Sequence, residues 1–430
     1  MSVDGREGFD CDVAIVGAGM VGGVLGCALA SQGFTVVLVE QREPDTDWPR
    51  DDVDQRVSAL TRASQHILAN LGVWDRMSEM RVSPYRGMRV WDATGNGSIE
   101  FDAAEIGEPD LGHIVENRVT QLALWKRLGE FSGVCRLCPD SVHRLELGGE
   151  RPWLELNSGR RVEADLIVAA DGANSAVRKL AGITCSGWSY HQHAIVATVE
   201  PEKHHGKIAR QRFMPNGPLA FLPIDNGSCS IVWSTLPEHA GFLMGLDEAG
   251  FCRELEIASQ GVLGRMSRVG PRALFPLSLR HAQRYLADGV VLIGDAAHGV
   301  HPLAGQGVNL GFLDAAVLAD VLGDARERGH PLGCRATLRR YERSRKGHNL
   351  EMLALMDLFK RVFSNEYQPL ILLRNLGLNL ADASGPLKRL LVRRAMGLTG
   401  ELPSLACPFT RSGQLTTGRS PPLTIIQGDK

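Results

Sequence analysis

The sequence predicts an α/β fold in which a parallel, nucleotide-binding sheet carries an inserted mixed β-sheet and is followed by C-terminal helices. Three observations predict this fold. Residues 11–40 have the pattern of a βαβ unit of about 30 residues. Two more apolar runs, Asp165–Ala170 and Val290–Gly294, are typical of strands in a sheet covered on both faces. After Gly305 the pattern becomes helical.

Composition indicates a folded protein with no affinity for polyanions. The chain has 430 residues, 44% of them apolar, and a formal net charge of −2. This length exceeds that of one ordinary domain, so two intertwined lobes are expected. No basic tract is interleaved with aromatic residues, which argues against a nucleic-acid partner.

The sequence further predicts a cytoplasmic protein. The segment before the first strand is short and acidic, unlike a secretory signal or a transit peptide. No run of about 18 uncharged apolar residues is present, so no helix is expected to span a bilayer. Nine scattered cysteines fit reduced thiols better than a disulfide framework. Cys135 and Cys138 form a C-x-x-C pair, but their flanks favour a strand, and chance spacing is favoured over a redox or zinc site.

A second, β-rich lobe is predicted between the two later sheet strands. Candidate antiparallel strands lie at 193–200, 209–224 and 228–235, with Pro or Gly turns between them. The expected segments are a nucleotide-binding domain over 1–80, 113–182 and 281–345, a substrate domain over 81–112 and 183–280, C-terminal helices over 346–400, and a tail over 401–430.

The C-terminal part is predicted to be helical and partly basic. Helical patterns run from Gln306 to about Leu322 and from Cys334 to about Phe363. Residues 357–394 are apolar and carry more Lys and Arg than Asp and Glu. A basic amphipathic helix can lie on a membrane surface, and a packed helix with a solvated basic face has the same pattern. Peripheral membrane contact is therefore an open alternative.

A glycine-rich turn indicates the nucleotide site. Gly17, Gly19 and Gly22 form G-x-G-x-x-G directly after a strand and at the start of a helix. The first glycine permits a tight turn, the second lets the backbone approach a pyrophosphate, and the third lets helix and strand pack closely. The helix N-terminus offers unpaired N–H groups to the anion. Glu40 ends the second strand, where a carboxylate accepts hydrogen bonds from ribose hydroxyls. The pattern predicts a dinucleotide but does not separate NAD from FAD.

Two further motifs favour FAD. Asp295 follows a predicted strand, within Gly-Asp-Ala-Ala-His, and can hold a ribityl or pyrophosphate oxygen at the edge of the sheet. Gly305 and Gly307 let a helix start against a flat ring, and the positive end of that helix would stabilise a reduced, anionic flavin. Asp171 ends another strand as part of an Asp-Gly element.

These motifs together resemble the class A flavoprotein monooxygenases. Segments at 55–60, 192–194, 211–223 and 275–277 are also similar to the ubiquinone-biosynthesis hydroxylases within that class. The similarity extends over most of the chain. It implies a Rossmann-like FAD-binding domain of the glutathione-reductase type, with O2 as co-substrate and NAD(P)H or another electron donor.

The resemblance also implies further cofactor contacts. Arg56 and Arg118 are expected near FAD, although either can instead be an ordinary surface or ion-pair arginine. The Asp-Gly element of Asp171 is associated in the family with both FAD and NAD(P)H. Asn309, on the helix after the glycines, completes the predicted cofactor-binding set.

No Ser-His-Asp arrangement, metal cluster or pair of acid–base carboxylates stands out in the sequence, and no metal site is predicted. The resemblance implies that a flavin hydroperoxide transfers oxygen to an electron-rich ring, while the protein orients the ring and excludes water. It places the turn at 301–305 over the flavin, so Pro302 is the candidate that shapes the oxygen site. For His298 and His301, structural hydrogen bonding is favoured over acid–base or metal roles. His193, in the inserted sheet, is predicted to contact substrate or to be a satisfied core histidine.

The leading hypothesis is hydroxylation of a lipophilic polyprenyl phenol or quinol on the route to ubiquinone. A hydroxylase of a small soluble aromatic compound is one alternative, and a long apolar tunnel would argue against it. A tunnel is favoured by Phe213, Leu219, Phe221 and Leu222. A non-catalytic flavin-binding scaffold subunit of a biosynthetic complex is the alternative from a different class. Contacts with other ubiquinone-biosynthesis proteins and an oligomer are compatible with these hypotheses.

Overall fold

The computed structural model of the protein describes residues 8–49, 52–299, 307–365 and 367–408. Within these ranges the strands, in chain order, are β1 (Gly8–Val16), β2 (Val36–Val39), β3 (Val57–Leu60), β4 (Ser83–Tyr85), β5 (Gly87–Asp92), β6 (Ser98–Asp102), β7 (Gly112–Glu116), β8 (Val134–Leu137), β9 (Val142–Glu146), β10 (Trp153–Leu156), β11 (Arg161–Ala169), β12 (Cys185–Pro201), β13 (Ile208–Phe213), β14 (Leu219–Pro223), β15 (Cys229–Thr235), β16 (Met266–Val269), β17 (Ala273–Ala282), β18 (Leu286–Ala287), β19 (Val290–Leu292) and β20 (His298–Gly299).

The α-helices of the same ranges are α1 (Met20–Ser31), α2 (Arg62–Asn70), α3 (Trp74–Met80), α4 (Asn117–Leu128), α5 (Ala176–Leu180), α6 (Pro237–Gly245), α7 (Glu248–Ser259), α8 (Gly307–Glu327), α9 (Arg335–Phe363), α10 (Gln368–Ala383) and α11 (Gly385–Ala395). None of the helices in the described part of the chain is long and apolar enough to cross a membrane.

The first sheet is the predicted nucleotide-binding sheet. Its parallel strands lie in the order β19-β11-β1-β2-β8, and β18 pairs antiparallel with β19 at one edge. A hairpin of β9 and β10 extends the sheet from β11. The central strands are buried, as in Val13–Val16 of β1, because helices cover the sheet. Burial on both faces explains why the segments 13–16, 36–39 and 166–169 are apolar at every position rather than at every second one.

The second sheet is mixed and is formed by two separate parts of the chain. Its main path is β20-β17-β12-β15-β14-β13-β5-β6, and β16 also pairs with β12. β5 and β6 precede β7 and α4 in sequence, whereas β12–β17 follow α5. Most neighbours are antiparallel, but β13 and β5 run parallel. A small third sheet has the strand order β3-β7-β4.

The predicted fold class, a nucleotide-binding sheet with an inserted mixed sheet and C-terminal helices, is confirmed. The helix predicted from Cys334 to about Phe363 is α9, Arg335–Phe363, with Cys334 as its N-cap. The strand predicted at 193–200 is part of the much longer β12, Cys185–Pro201. Sequence analysis did not predict α6 and α7, which pack on one face of the mixed sheet through an apolar cluster that includes Phe251 and Leu255.

Candidate active site

Three strand ends converge at one edge of the parallel sheet. The Ala170 N–H donates to the Val16 carbonyl at 2.8 Å, and the Ile293 N–H donates to the Ala169 carbonyl at 3.0 Å. Because β1, β11 and β19 are parallel, their carboxyl ends meet there. Three of the predicted site residues, Gly17, Asp171 and Asp295, follow the ends of these strands by one, two and three residues. Ligands of open α/β sheets bind at such edges.

The glycine turn has the geometry of a pyrophosphate cradle. Gly17 has φ +97°, and a Cβ there would lie 2.4 Å from the Ala170 carbonyl oxygen. At Gly22 a Cβ would lie only 1.9 Å from the Gly17 carbonyl oxygen, so α1 packs tightly against the turn. A Cβ at Gly19 would meet nothing within 4 Å, and no side chain caps the helix that Gly19 starts. The second glycine therefore leaves open space in front of a helix N-terminus, which fits a phosphate anion.

Glu40 lies beside this cradle. One of its carboxylate oxygens, Oε2, accepts a hydrogen bond from the Ala18 N–H at 2.7 Å. The other, Oε1, accepts from the Gln41 N–H at 2.8 Å. These bonds hold the half-buried carboxylate between the end of β2 and the glycine turn, where a ribose next to the pyrophosphate would lie.

Asp295 lies at the surface, three residues after the end of β19. Its side chain is exposed to solvent, yet crowding by protein atoms raises its pKa, an effect that the charges of His298 and Arg56 partly offset. The exposed region bordered by Asp295, Arg56 and Phe275 is named the groove. Arg56 faces the same groove, since its charge acts on Asp295 and its guanidinium lies 5.7 Å from the centre of the Phe275 ring.

The turn that carries Asp295 is packed directly on the glycine turn. A Cβ at Gly294 would lie 3.2 Å from Val21 of α1, and one at Gly311 of α8 would lie 2.5 Å from the same side chain. The glycines at these two positions therefore let α1, α8 and the Asp295 turn approach one another closely. Gly307, the first residue of α8, has open space where a Cβ would be.

Asp171 is placed at the sheet edge, but its carboxylate caps a helix. Its Oδ2 accepts hydrogen bonds from the N–H groups of Ala176 and Val177 in α5, at 2.7 and 3.2 Å. Its Oδ1 is buried with no hydrogen-bond partner in the protein. The buried Arg178 donates to the carbonyls of Ala296 and Ala173, both at 2.8 Å, and so ties the Asp171 turn to the Asp295 turn.

The side chain of Asn309 does not face the groove. It is buried, and its Oδ1 accepts from the Thr61 N–H at 3.0 Å and from the Ser64 hydroxyl at 2.6 Å. Its Nδ2 donates to the Ala59 carbonyl at 2.8 Å. The cofactor contact predicted for Asn309 stays a prediction. Asn309 fastens the first turn of α8 to β3 and α2.

Arg118 is held in an ion-pair network. Its guanidinium pairs with Glu116 at 2.7 Å and with Asp52 at 2.8 Å, and it lies 4.6 Å from the centre of the Trp48 ring. Arg118 was predicted either to lie near FAD or to be an ordinary surface or ion-pair arginine, and the structure shows the ion pair. The predicted residues Pro302 and Gly305, and His301 with them, lie outside the described residues.

His193 lies on the wrong face of the mixed sheet for substrate contact. In β12 it is paired with Pro276, whereas its neighbour Ala194 is paired with Phe275. Paired residues share a face and successive residues alternate. Phe275, which lies near Arg56, therefore marks the groove side, and His193 lies on the opposite side with Ile195, the side covered by α6 and α7. This position contradicts the predicted substrate contact. The error could not be seen in the sequence, because alternation with a period of two shows that a strand has two faces but does not reveal which face is covered.

The alternation of side chains along the strands also shows that most of the apolar residues predicted to line a tunnel lie elsewhere. Leu219 and Phe221 belong to the buried cluster beneath α6 and α7, and Phe213 stacks on Phe363 at 4.2 Å between ring centres. Of the four predicted residues, Leu222 lies on the groove side and is partly exposed. The groove side is nevertheless apolar. It carries further partly exposed side chains at Val196, Ala220 and Val232.

A buried polar network lies behind the Asp295 turn; the structural hydrogen bond predicted for His298 is confirmed, whereas its partners Asp314 and Arg345 were not predicted. Asp314 of α8 is fully buried and accepts hydrogen bonds from His298 at 2.5 Å, from Arg345 at 2.7 Å and from the Gly294 N–H at 3.1 Å. Burial alone would raise the pKa of Asp314, but the charges of His298 and Arg345 hold it well below its usual range. Because Asp314 bonds the backbone of the Asp295 turn, the network fixes the shape of that turn. An aspartate within an apolar helix is the signal that could have revealed it.

Replacing Asp314 with alanine should destabilise the protein strongly. The change leaves the buried Arg345 guanidinium without its carboxylate, which costs about 3–5 kcal/mol in the free energy of unfolding. The matched control is Asp324→Ala on the same helix, where the carboxylate forms an exposed ion pair with Arg340. That loss should be under about 1 kcal/mol. Urea unfolding measures both, and equal losses would contradict the assigned network.

Stability should also depend on pH through His281. Burial, followed by the charges of His298 and Lys346, lowers the pKa of His281 to about 4. Between about pH 6.5 and 4 the unfolded chain therefore binds a proton that the folded protein does not. The free energy of unfolding should fall by about 3 kcal/mol as the pH falls through this range. Thermal melts across this pH range should show a smaller decrease in stability for His281→Gln than for the unmodified protein. His143→Gln, whose side chain is exposed, should show the same decrease as the unmodified protein.

The fold and the site together define a dinucleotide-binding protein of the oxidoreductase class. The cradle, the carboxylates and the groove lie at one edge of the parallel sheet, and the mixed sheet covers that edge. This arrangement fits FAD, since the open space at Gly19 meets a free helix N-terminus and Asp295 lines an accessible groove.

Comparison with known proteins identifies the family. A family model described as "FAD binding domain" matches residues 10–354. The chain is 41% identical over 387 residues to a 3-demethoxyubiquinol 3-hydroxylase of Escherichia coli (strain K12), a match that covers 90% of this chain and 98% of that protein. It is 39% identical to the ubiquinone biosynthesis monooxygenase COQ6 of Xenopus tropicalis, over 88% of this chain and 91% of that protein.

A solved structure agrees with the fold. That of p-nitrophenol 4-monooxygenase PnpA from Pseudomonas putida DLL-E4 superimposes with a TM-score of 0.75, at 19% identity, over 92% of this chain and 99% of that one. The chain belongs to the FAD-binding family of monooxygenases. It is an FAD-dependent monooxygenase that uses O2 and a reduced electron donor.

Proposed function

We propose that this monooxygenase hydroxylates the aromatic ring of a polyprenyl phenol or quinol during ubiquinone biosynthesis. The observation that carries the proposal is the similarity, over nearly the full length of both chains, to a hydroxylase that acts on a demethoxyubiquinol. The partly exposed apolar face beside the groove supports it, because a ring with an apolar tail needs such a surface.

The chain's own residues would hold FAD across the edge of the parallel sheet. Gly19 and the N-terminus of α1 would bind the pyrophosphate, Glu40 the ribose, and Asp295 an oxygen of the ribityl or pyrophosphate part. Arg56, at the same groove, would place a positive charge beside the bound cofactor. When bound and reduced by the electron donor, FAD would activate O2, so that one oxygen atom of O2 enters the ring and the other leaves as water. The protein's part is to orient the ring and to keep water out.

Two hydroxyl groups on the groove face could orient the ring. Thr198 and Ser230 are directly opposite each other on β12 and β15, on the face that also carries Val196 and Val232. Both hydroxyl oxygens are buried with no hydrogen-bond partner in the protein. Buried polar groups are rarely left without partners. We propose that they bond the oxygen substituents of the substrate ring.

Removing these hydroxyls should weaken substrate binding without affecting the cofactor. Thr198→Val with Ser230→Ala is expected to raise KM for a short-chain quinol by about tenfold, since each lost hydrogen bond costs roughly 0.5–1.5 kcal/mol. FAD content should stay complete. The matched control is Thr235→Val with Ser228→Ala, two sites outside that cross-strand pair. If KM rises equally in both variants, the pair does not contact the ring.

The hydroxylation itself is tested by the metabolites of a strain that lacks the gene. Mass spectrometry of its quinone intermediates should show loss of ubiquinone and accumulation of a precursor with one oxygen substituent fewer on the ring. The mass and ring pattern of that precursor would name the step. Unchanged ubiquinone would contradict the proposal and favour a small soluble aromatic substrate.

A second measurement separates an enzyme from a scaffold subunit. NADPH or a reduced ferredoxin should bleach the bound flavin, and oxygen should restore its colour with formation of hydroxylated product. A flavin that no donor reduces would favour the scaffold alternative. A cytoplasmic location, contact with the inner face of a membrane, association with other ubiquinone-biosynthesis proteins and an oligomer stay predictions of this proposal.

A further inference from the structure

Helix α10 is oriented with its polar side chains towards the protein. It lies along β6, the strand at the edge of the mixed sheet. Asn375, Asn379 and Asp382 accept hydrogen bonds from the N–H groups of Gly97, Ser98 and Glu100, the last two at 3.1 Å. An edge strand presents unpaired backbone groups, and here helix side chains occupy them.

A buried ion pair fixes the same orientation. The Arg374 guanidinium, on the inner side of α10, bonds the buried Asp92 carboxylate at 2.6 Å. Asn375 also donates to Asp92, at 3.0 Å. Rotating the helix to bring its apolar side inward would break all of these bonds. These bonds therefore keep the apolar side of α10 facing outward.

The outward side of α10 is apolar. Leu372, Leu373, Leu376 and Leu380 are exposed by 70%, 64%, 55% and 59%. With Pro369, Gly377 and Ala383 they form a continuous helix face without an ionisable residue. Ten of the sixteen large apolar side chains that are exposed in the described part of the chain lie between Leu350 and Leu391. Such a concentration marks an interaction surface rather than scattered exposure.

The neighbouring helix adds positive charge. α11 turns Lys388, Val392 and Met396 inward, where Lys388 pairs with Glu105 and Asp382. Its outward residues include the exposed Leu390 and the exposed cations Arg389 and Arg393. Apolar side chains beside arginines are the combination that binds the boundary of an anionic bilayer.

We propose that this α10–α11 surface, formed by Leu372, Leu373, Leu376, Leu380, Arg389, Leu390 and Arg393, docks on an anionic lipid bilayer. The inference rests on the proposed function, because a polyprenyl substrate resides in a bilayer and a docked enzyme can take it up there. A second copy of the chain is a poorer occupant. In a two-fold symmetric contact this surface meets itself and offers no carboxylate to Arg389 and Arg393, whereas an anionic bilayer offers them negative charge.

Vesicle sedimentation of the full FAD-loaded chain tests the proposal. The protein should sediment with vesicles of phosphatidylcholine and phosphatidylglycerol, and much less with phosphatidylcholine alone. Leu372→Ser with Leu376→Ser should weaken binding roughly tenfold or more for each leucine. Ile257→Ser on α7 is the matched control, because Ile257 is also 70% exposed. Arg389→Gln with Arg393→Gln should abolish the preference for anionic vesicles, whereas Arg253→Gln should not.

Three results would overturn the proposal: no binding to anionic vesicles, equal binding by the leucine variant and the Ile257→Ser control, or a dimer in solution that the leucine substitutions dissociate. The last would identify a second copy as the occupant. Hydroxylation of a short-chain quinol in solution, without vesicles, reports on the proposed function separately. A variant that loses vesicle binding and keeps this activity leaves the proposed function intact.

Discussion

Replacing Asp295 with alanine is expected to remove FAD from the protein while leaving it folded. The carboxylate is exposed in the groove, so its loss creates no cavity in the core. It lies beyond the carboxyl end of β19, at the proposed FAD site. Losing a charged hydrogen bond to FAD weakens binding by about 10- to 100-fold. Purified Asp295→Ala should therefore be colourless, and titration with FAD should give a correspondingly higher Kd.

Asp288→Ala is the matched control for this prediction. Asp288 is also exposed and lies just before β19, at the opposite end of the same strand. Its variant should purify yellow and bind FAD as the unmodified protein does. A fully yellow Asp295→Ala protein would show that the cofactor does not reach the end of β19.

The nucleotide-binding half of the site could be predicted from the sequence because its signals are local. A glycine turn with its flanking strand and helix lies within one βαβ unit, so spacing alone gives the geometry. The structure places Gly17, Gly22 and Glu40 accordingly, with the Glu40 carboxylate bonded to the Ala18 N–H. Likewise, Cys334 caps α9 through Thr337, and apolar periodicity defines the rest of that helix.

The substrate side could not be predicted in the same way, because it depends on which face of a sheet is covered. The strand that contains His193 was predicted, but α6 and α7 were not, and these helices cover the face on which His193 lies. Their start signals were present. Pro237 occupies the first turn of α6, and Asp247 caps α7 by accepting from the Gly250 N–H. Short helices with these signals are easily taken for turns.

The polar network was the hardest part of the site to predict, because its residues are far apart in the sequence. Asp314, His298 and Arg345 come from three separate segments, so no local spacing connects them. Asn309 illustrates the same limit. Its position after the glycines predicted a cofactor contact, but no local pattern indicated that the fold also brings Thr61 and Ser64 to its amide. A side chain next to a ligand-binding turn can therefore stabilise that turn.

Substitutions at two glycines of the glycine turn should distinguish a residue that stabilises the turn from one that makes room for the ligand. At Gly22 an alanine Cβ would lie 1.9 Å from the Gly17 carbonyl oxygen, a backbone atom that cannot move without distorting the turn. Gly22→Ala should therefore lower the free energy of unfolding of the FAD-free protein by about 1–3 kcal/mol and should also prevent FAD binding. Urea unfolding of the FAD-free protein measures the first effect, and flavin absorbance measures the second.

Gly19→Val should behave differently, although it lies in the same turn. A Cβ at Gly19 meets no protein atom within 4 Å, so the FAD-free variant should unfold at nearly the same urea concentration as the unmodified protein. Its side chain would occupy the space that the pyrophosphate needs, and FAD should be lost. If Gly19→Val retains FAD, the phosphates do not approach this glycine. If Gly22→Ala keeps full stability, the close packing of α1 on the turn is wrong.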